Sequence, residues 1–205
     1  MPSSRSELAT RPTLDMDAIT SVAVALFTEL GYEKTSMDRI AQELKVTKAA
    51  LYYHAANGKK EILSIALHQA LDPMMSSLQK IVASDSLPVE KLRQAIALHV
   101  KHAVERGSAV AYFLRSDHHP LGDQAKEIRR AYDQSIADVY LEAYREGSVR
   151  ADLDPRVGAR LVLGLSYSIT EWVKPSGRIS VEEIAAQVIS VAFEGIGQHP
   201  SANST

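Results

Sequence analysis

Between Lys34 and Leu63 the chain reads KTSMDRIAQELKVTKAALYYHAANGKKEIL, and two short runs of helical periodicity stand almost back to back in it. Thr35 and Ser36 bring hydroxyls that accept from the orphan N–H groups of a helix start, and Met37, Ile40, Ala41 and Leu44 then recur at helical spacing. One short helix is expected from about Met37 to Leu44. Lys45 and Val46 make the turn, and Thr47 is placed as the N-cap of a second helix through Lys48, Ala49, Ala50, Leu51, Tyr52, Tyr53 and His54. Two helices joined by so tight a turn form a helix-turn-helix.

The second helix decides what the unit is for. If Val46, Ala50 and Leu51 face inward, then Lys48, Ala49, Tyr52 and Tyr53 lie near the exposed face, with His54 at its end. Small residues at its start let the backbone enter a DNA major groove ~12 Å wide, where an alanine methyl meets a thymine methyl. The tyrosine hydroxyls, with Lys48, His54, Lys59 and Lys60, suit phosphate oxygens, which set register without reading sequence. Between Glu43 and Glu61 there are four lysines and no acidic residue, although the whole chain has a net charge of −2. The competing reading, a helical pair whose tyrosines pack in a core, fails on geometry. Adjacent residues of one helix do not both point inward, so at least one ring is exposed.

The stretch from Ile19 to Leu63 resembles the DNA-binding domain of the TetR family of bacterial transcriptional regulators. The match runs through Ala23, Leu26 and Phe27, Gly31-Tyr32, and Thr35-Ser36-Met37-Asp38-Arg39-Ile40-Ala41. It continues through Val46-Thr47-Lys48, Leu51-Tyr52-Tyr53-His54, and Lys59 with Glu61-Ile62-Leu63. The resemblance implies that Thr35, Ser36 and Arg39 meet phosphates or the flanking groove, that Lys48, Ala49, Ala50 and Tyr53 approach bases, and that Tyr52, His54 and Lys59 hold the backbone. It departs from the family at three places. Lys45 stands where the family usually has Gly, so either it adopts a positive φ or the turn differs, and its side chain would add a phosphate contact. Ala55 replaces an aromatic, and Gly58 is one residue extra before Lys59.

Length and composition fit an ordinary globular protein: 205 residues, 45% of them hydrophobic. The absence of cysteine excludes disulfides, thiol catalysis and cysteine-bound metals. No apolar run approaches the ~18 residues of a membrane span, and the N-terminus lacks a signal-peptide core, so a cytoplasmic protein with no membrane partner is expected. Residues 1–14 read as a flexible arm whose Arg5 and Arg11 suit a minor groove. Residues 15–63 form the DNA-binding domain, 64–197 a helical ligand-binding and dimerisation domain, and 198–205 a disordered tail.

The class is all-α: an N-terminal three-helix bundle with the helix-turn-helix, then a helical domain, about nine helices in all. The first runs from about Asp15 to Leu30 and stops at Gly31. A fourth begins near Lys59 and meets Pro73, which should kink or end it before Met74 to Val82 continue. Pro88 opens a fifth toward Gly107, and a short piece spans Ala109 to Arg115. A long helix covers about Asp123 to Arg145, another runs from Pro155 to about Trp172, and Ser180 with Glu183 caps the last to about Gly195.

The last two helices carry Leu161, Leu165 and Ile169, then Ile184, Val188, Ile189 and Ala192, with small residues between. Packed on a copy of themselves they would form a four-helix interface, as the corresponding helices do in TetR-like proteins; the alternative is an internal core. The middle helices hold Met74, Leu78, His99, His102, Tyr112, Phe113, Arg115, Arg129, Tyr132, Tyr140, Tyr167 and Trp172. So many rings with polar tips suit a mostly apolar pocket with a few polar fixers. The stretch Glu171 to Ile184 is similar to a helix-loop-helix of family members that control fatty-acid, acyl-CoA or steroid catabolism. This implies an effector with an acyl chain or ring system, for which Arg115, Arg129 and Arg130 would offer phosphate contacts.

No cofactor and no metal are expected. His99 and His102 share a helix face and His118 adjoins His119, but a selective site needs three or four ligands and no acidic cluster accompanies them. An enzyme would have to rest on Asp117 with His118 and His119, which lack a nucleophile at defined spacing. The expected function is a sequence-specific DNA-binding regulator, a repressor released from a palindromic operator by a small apolar effector. The alternative is an effector-independent architectural or cell-division protein.

Overall fold

A computed structural model of the protein describes residues 14–115, 119–173 and 178–196, and within them the chain is helical with no strand. The expected arm and tail fall, apart from Leu14, outside the described residues, as do Asp117 and His118.

Helix α1, Met16–Leu30, begins where Asp15 accepts a hydrogen bond from the Ala18 N–H at 2.8 Å. It ends at Gly31, whose φ of 87° is open to a residue without a Cβ. Its inner face carries Ile19, Ala23, Val24, Leu26 and Phe27. Helices α2 (Met37–Glu43) and α3 (Lys48–His54) follow, and α1, α2 and α3 close around Ile40, Leu51 and Phe27.

Helix α4, Lys59–Val82, runs through Pro73 and does not end there, one of the two outcomes expected of it. Pro73 lies on the exposed side, so its ring meets solvent and the missing N–H removes a single intrahelical bond. Helix α5, Pro88–Arg115, bends next to Gly107, where the sequence places the end of one helix and the start of a short piece. It is broken there by a non-helical residue, Arg106 at φ −133° and ψ 22°, so α5 is two helical pieces in series, as the sequence suggests, and the described residues hold eight helices with the fifth in two parts.

Helices α6 (Gly122–Arg145), α7 (Pro155–Trp172) and α8 (Val181–Ile196) complete the larger body. Asp154 caps α7 by accepting from the Arg156 and Val157 N–H groups, and Pro155 follows where an N–H is not missed. Ser180 and Glu183 form the reciprocal capping box expected of α8. Helix α5 is the axis of this body and packs against α4, α6, α7 and α8, while α1 joins it through α4 and α5.

One close approach fixes α6 against α7. A Cβ added at Gly158 would stand 2.1 Å from the Tyr140 hydroxyl, and Tyr140 is fully buried. Its hydroxyl finds no hydrogen-bond partner among the described residues. Gly158→Ala should therefore lower stability by about 1–3 kcal/mol through overpacking, whereas Tyr140→Phe should leave it unchanged or higher. Thermal and urea unfolding followed by circular dichroism measure both; equal losses for the two variants would contradict this packing.

Candidate nucleic-acid interface

The helix-turn-helix is assembled by its caps. The Ser36 hydroxyl accepts from the Arg39 N–H at 3.1 Å and the Thr47 hydroxyl accepts from the Ala50 N–H at 3.1 Å, so each short helix starts on a satisfied donor. Between them Lys45 takes φ 56°, the left-handed conformation for which glycine is favoured. The turn thus keeps the geometry a glycine would give it and accepts the strain.

Helix α3 anchors itself with Leu51, which is fully buried, and presents Lys48, Ala49, Tyr52 and Tyr53 outward. Tyr53 is 87% exposed, with the His54 ring edge-on beside it at 5.4 Å. Tyr52, 40% exposed, lies over the α3–α4 turn, 3.9 Å from where a Cβ of Gly58 would be. Gly58 has φ 72° and serves as the N-cap of α4, so the extra residue is accommodated by a conformation that disfavours side chains. Ala55, in place of a ring, is fully buried.

The ionic contacts around α3 were not legible in the sequence. Lys48 Nζ donates to Asp38 Oδ2 of α2 at 2.8 Å, and this hydrogen bond, with the carboxylate charge, raises the lysine pKa. Both groups are exposed, so the pair is weakly held and open to exchange for another anion. Arg39 lies 3.5 Å from Glu43 in the same exposed setting.

Two residues expected to meet DNA are occupied elsewhere. Thr35 is buried, and its hydroxyl donates to the Gly31 carbonyl at 2.9 Å and toward that of Leu26 at 3.3 Å, so it ties the α1–α2 loop instead of reaching a phosphate. Lys59 donates to the Tyr32 carbonyl at 2.8 Å and toward that of Glu33 at 3.3 Å, with its ammonium 4.2 Å above the Tyr32 ring. Tyr32 in turn stacks at a tilt on Phe27, 5.1 Å between centroids. Lys59 is thus a clamp between α4 and the α1–α2 loop.

Comparison with known proteins gives the same result along the whole chain. The family model described as bacterial regulatory proteins, tetR family, matches residues 19–64, and the one described as tetracyclin repressor-like, C-terminal domain, matches residues 85–196. The chain belongs to the TetR family. It is 24% identical over 193 residues to the HTH-type transcriptional repressor KstR2 of Mycolicibacterium smegmatis, covering 92% of this chain and 93% of that protein. Among solved structures, the ketosteroid transcriptional regulator KstR2 of Mycobacterium tuberculosis superposes with a TM-score of 0.80 at 22% identity, over 92% of this chain and 98% of that one. AibR in complex with isovaleryl coenzyme A and operator DNA superposes with a TM-score of 0.69 at 27% identity, over 86% and 96% of the two chains. The protein is therefore a transcriptional regulator and not an enzyme.

In this TetR-family chain the residues expected of the pocket and of the dimer interface divide three ways. Met74, Leu78, His99, His102, Tyr112, Phe113, Tyr132 and Tyr140 are buried together in the core, and Tyr167 and Arg129 are partly buried beside them. Trp172 does not join them: it is 58% exposed at the end of α7, which corrects its place in the expected pocket. The Arg115 side chain lies outside the described residues. Of the expected interface, Leu161 is 54% exposed and Leu165 and Ile189 are partly exposed. Ile169, Ile184, Val188 and Ala192 are covered by their own chain, so they build the internal core instead. No helix among the described residues is long and apolar enough to cross a membrane, and no cluster of metal-ligating side chains occurs among them.

The sequence also missed Gln69 on α4. Its amide donates to Asp17 Oδ1 at 2.8 Å and its carbonyl oxygen accepts from the Thr20 hydroxyl at 2.8 Å, so it fastens α4 to α1. Nothing at positions so far apart in the chain signals such a pair.

The two kinds of lysine separate experimentally. Lys48→Ala and Tyr53→Ala should weaken binding to operator DNA at least tenfold while leaving the melting temperature in place. Lys59→Ala should lower stability by about 1–2 kcal/mol, because its charge-assisted bond to the Tyr32 carbonyl is lost. Gel-shift titrations beside thermal melts distinguish them, and unchanged DNA affinity in Tyr53→Ala would refute the assignment of α3.

Proposed function

We propose that the protein is a homodimeric repressor that leaves a palindromic operator when a small, largely apolar effector occupies its larger helical domain. The observation that carries the reading is the surface of α3: an almost fully exposed Tyr53 on the same short helix as the exposed Lys48, in a stretch with no acidic residue between Glu43 and Glu61. An exposed ring among cations on a capped recognition helix has its natural partner in a DNA groove. The N-terminal head comprises 15–63 and the regulatory domain 64–197, and the protein works in the cytoplasm with the chromosome.

Dimerisation is supported by the outer face of α7. Val157, Leu161, Leu165 and Trp172 follow one another at helical spacing, and Val157, Leu161 and Trp172 are largely exposed. Gly164 and Ser168 sit among them where a second helix needs room. Between α7 and α8 lies a groove of about 560 Å³ walled by Leu153, Leu161, Leu165 and Val191. A two-fold axis along this face would set two heads at the ~34 Å spacing of successive major grooves.

An effector of acyl-CoA type is supported by AibR, whose solved complex holds isovaleryl coenzyme A with operator DNA. A second reading, an architectural protein with no effector, draws on the close packing of Met74, Leu78 and Phe113 in the core. One experiment separates the two. Gel shifts on the DNA flanking the gene should show a discrete dimer complex that acyl-CoAs dissolve, and Leu161→Glu with Val191→Glu should give a monomer by sedimentation that binds this DNA at least tenfold more weakly. Binding that is indifferent to every acyl-CoA and lipophilic acid, at many unrelated sites, would favour the architectural reading.

A further inference from the structure

The effector-binding reading above leaves open which atoms of the larger domain recognise a ligand, and His99 bears on that question. Helices α5, α6 and α7 meet at its side chain, which is 1% exposed. Its Nδ1 stands 3.3 Å from the Tyr132 hydroxyl of α6, and its ring meets that of Tyr167 of α7 edge-on at 5.0 Å. Burial, and to a lesser degree His102, brings its pKa down to about 4, so the imidazole is neutral near pH 7. Burial pushes the Tyr132 phenol far up, so it keeps its proton and is able to donate it to Nδ1. In the tautomer that accepts at Nδ1, the neutral imidazole carries its one proton on Nε2, and this is the form the proposal below uses.

That Nε2 has no hydrogen-bond partner among the described residues, and neither has Nδ1 of His102, one turn further along α5. Buried donors are almost always satisfied, and an orphan in a closely packed core is unfavourable unless something else completes it. Access is marked as well. The Tyr167 hydroxyl donates to the carboxylate of Asp133, and Asp133 stands in the wall of a cleft of about 910 Å³ between α6 and α7, with Ala137, Leu141, Ala159 and Leu163. Tyr167 therefore has its ring against His99 and its hydroxyl bonded to a residue of the cleft wall.

We propose that the His99 Nε2–H reads a neutral carbonyl oxygen on the effector, a thioester or a ring ketone, which reaches it from the α6–α7 cleft by displacing the Tyr167–Asp133 contact. A carboxylate would bring an unpaired charge against a neutral imidazole, and a plain hydrocarbon would leave the N–H unsatisfied. The proposal rests on the effector reading and narrows it to a chemical group.

The test is calorimetric titration of the full-length protein with paired probes. One arm compares octanoyl-CoA with the thioether in which a methylene replaces the carbonyl; the other compares a steroid bearing a ring ketone with its deoxy analogue. In at least one arm the carbonyl probe should bind about tenfold or more tighter. His99→Phe should abolish that preference and His99→Gln, which keeps an N–H, should retain part of it, with circular dichroism melts verifying that both fold. The wild-type comparison stands even if a variant does not fold. Equal affinities within both pairs, or a preference that survives in His99→Phe, would overturn the proposal. Operator binding without any probe is measured separately. Its loss in the wild-type protein counts against the repressor, whereas lost discrimination with operator binding intact counts against His99.

Discussion

Helix α4 belongs to both halves of the molecule, and the rest of the structure depends on that sharing. Ile62, Leu63, Ala66 and Leu67 close the core around α1 to α3, and Ala70, Leu71, Met74 and Leu78 carry the same stripe into the packing of α5 and α6. Each such large side chain stabilises by roughly 1.5–3 kcal/mol when fully buried, so the two cores are continuous along one rod. Two polar fastenings then set the angle at which the rod leaves the head. Lys59 ties its first turn to the Tyr32 carbonyl, and Gln69 ties its third to Asp17 and Thr20. A displacement of α4 by the larger domain is a displacement of the recognition helix.

The recognition helix itself is held for readiness more than for stability. Its turn stores strain at Lys45, and its N-terminal lysine is parked on Asp38 in an exposed pair that a phosphate replaces without leaving a buried charge behind. Tyr53 contributes almost nothing to the fold, since nearly all of its surface faces solvent. These are the marks of groups placed for a partner outside the chain. The core of the larger domain shows the reverse pattern in His99, where a polar group is enclosed and one of its atoms is left unmatched among the described residues.

Local signals made the helices legible. Ser36, Thr47, Pro155, and Ser180 with Glu183 announced helix starts from side-chain chemistry alone, and the structure has each of them at a helix start. The errors arose where a distant partner overrules local preference. Local preference alone would allow Pro73 to end α4, but tertiary packing on both sides of it keeps the helix running. Thr35 and Lys59 look like phosphate ligands on family pattern, yet their polar atoms are engaged by carbonyls of the α1–α2 loop. The apolar residues of α7 and α8 divide into inward and outward sets only once the place of α5 is known, so periodicity alone puts Ile169, Ile184 and Val188 at an interface and Trp172 in a pocket.

The rigid union of head and rod is open to direct measurement by pulsed electron spin resonance. The chain has no cysteine, so Lys34→Cys on the head and Glu127→Cys on α6 supply the sole labelling sites, with labelled chains diluted into unlabelled protein. The account predicts one narrow distance in the parent protein and a broad distribution once Lys59→Ala and Gln69→Ala are added. An equally narrow distance in both would contradict it, because the head would then be oriented by something other than its fastenings to α4.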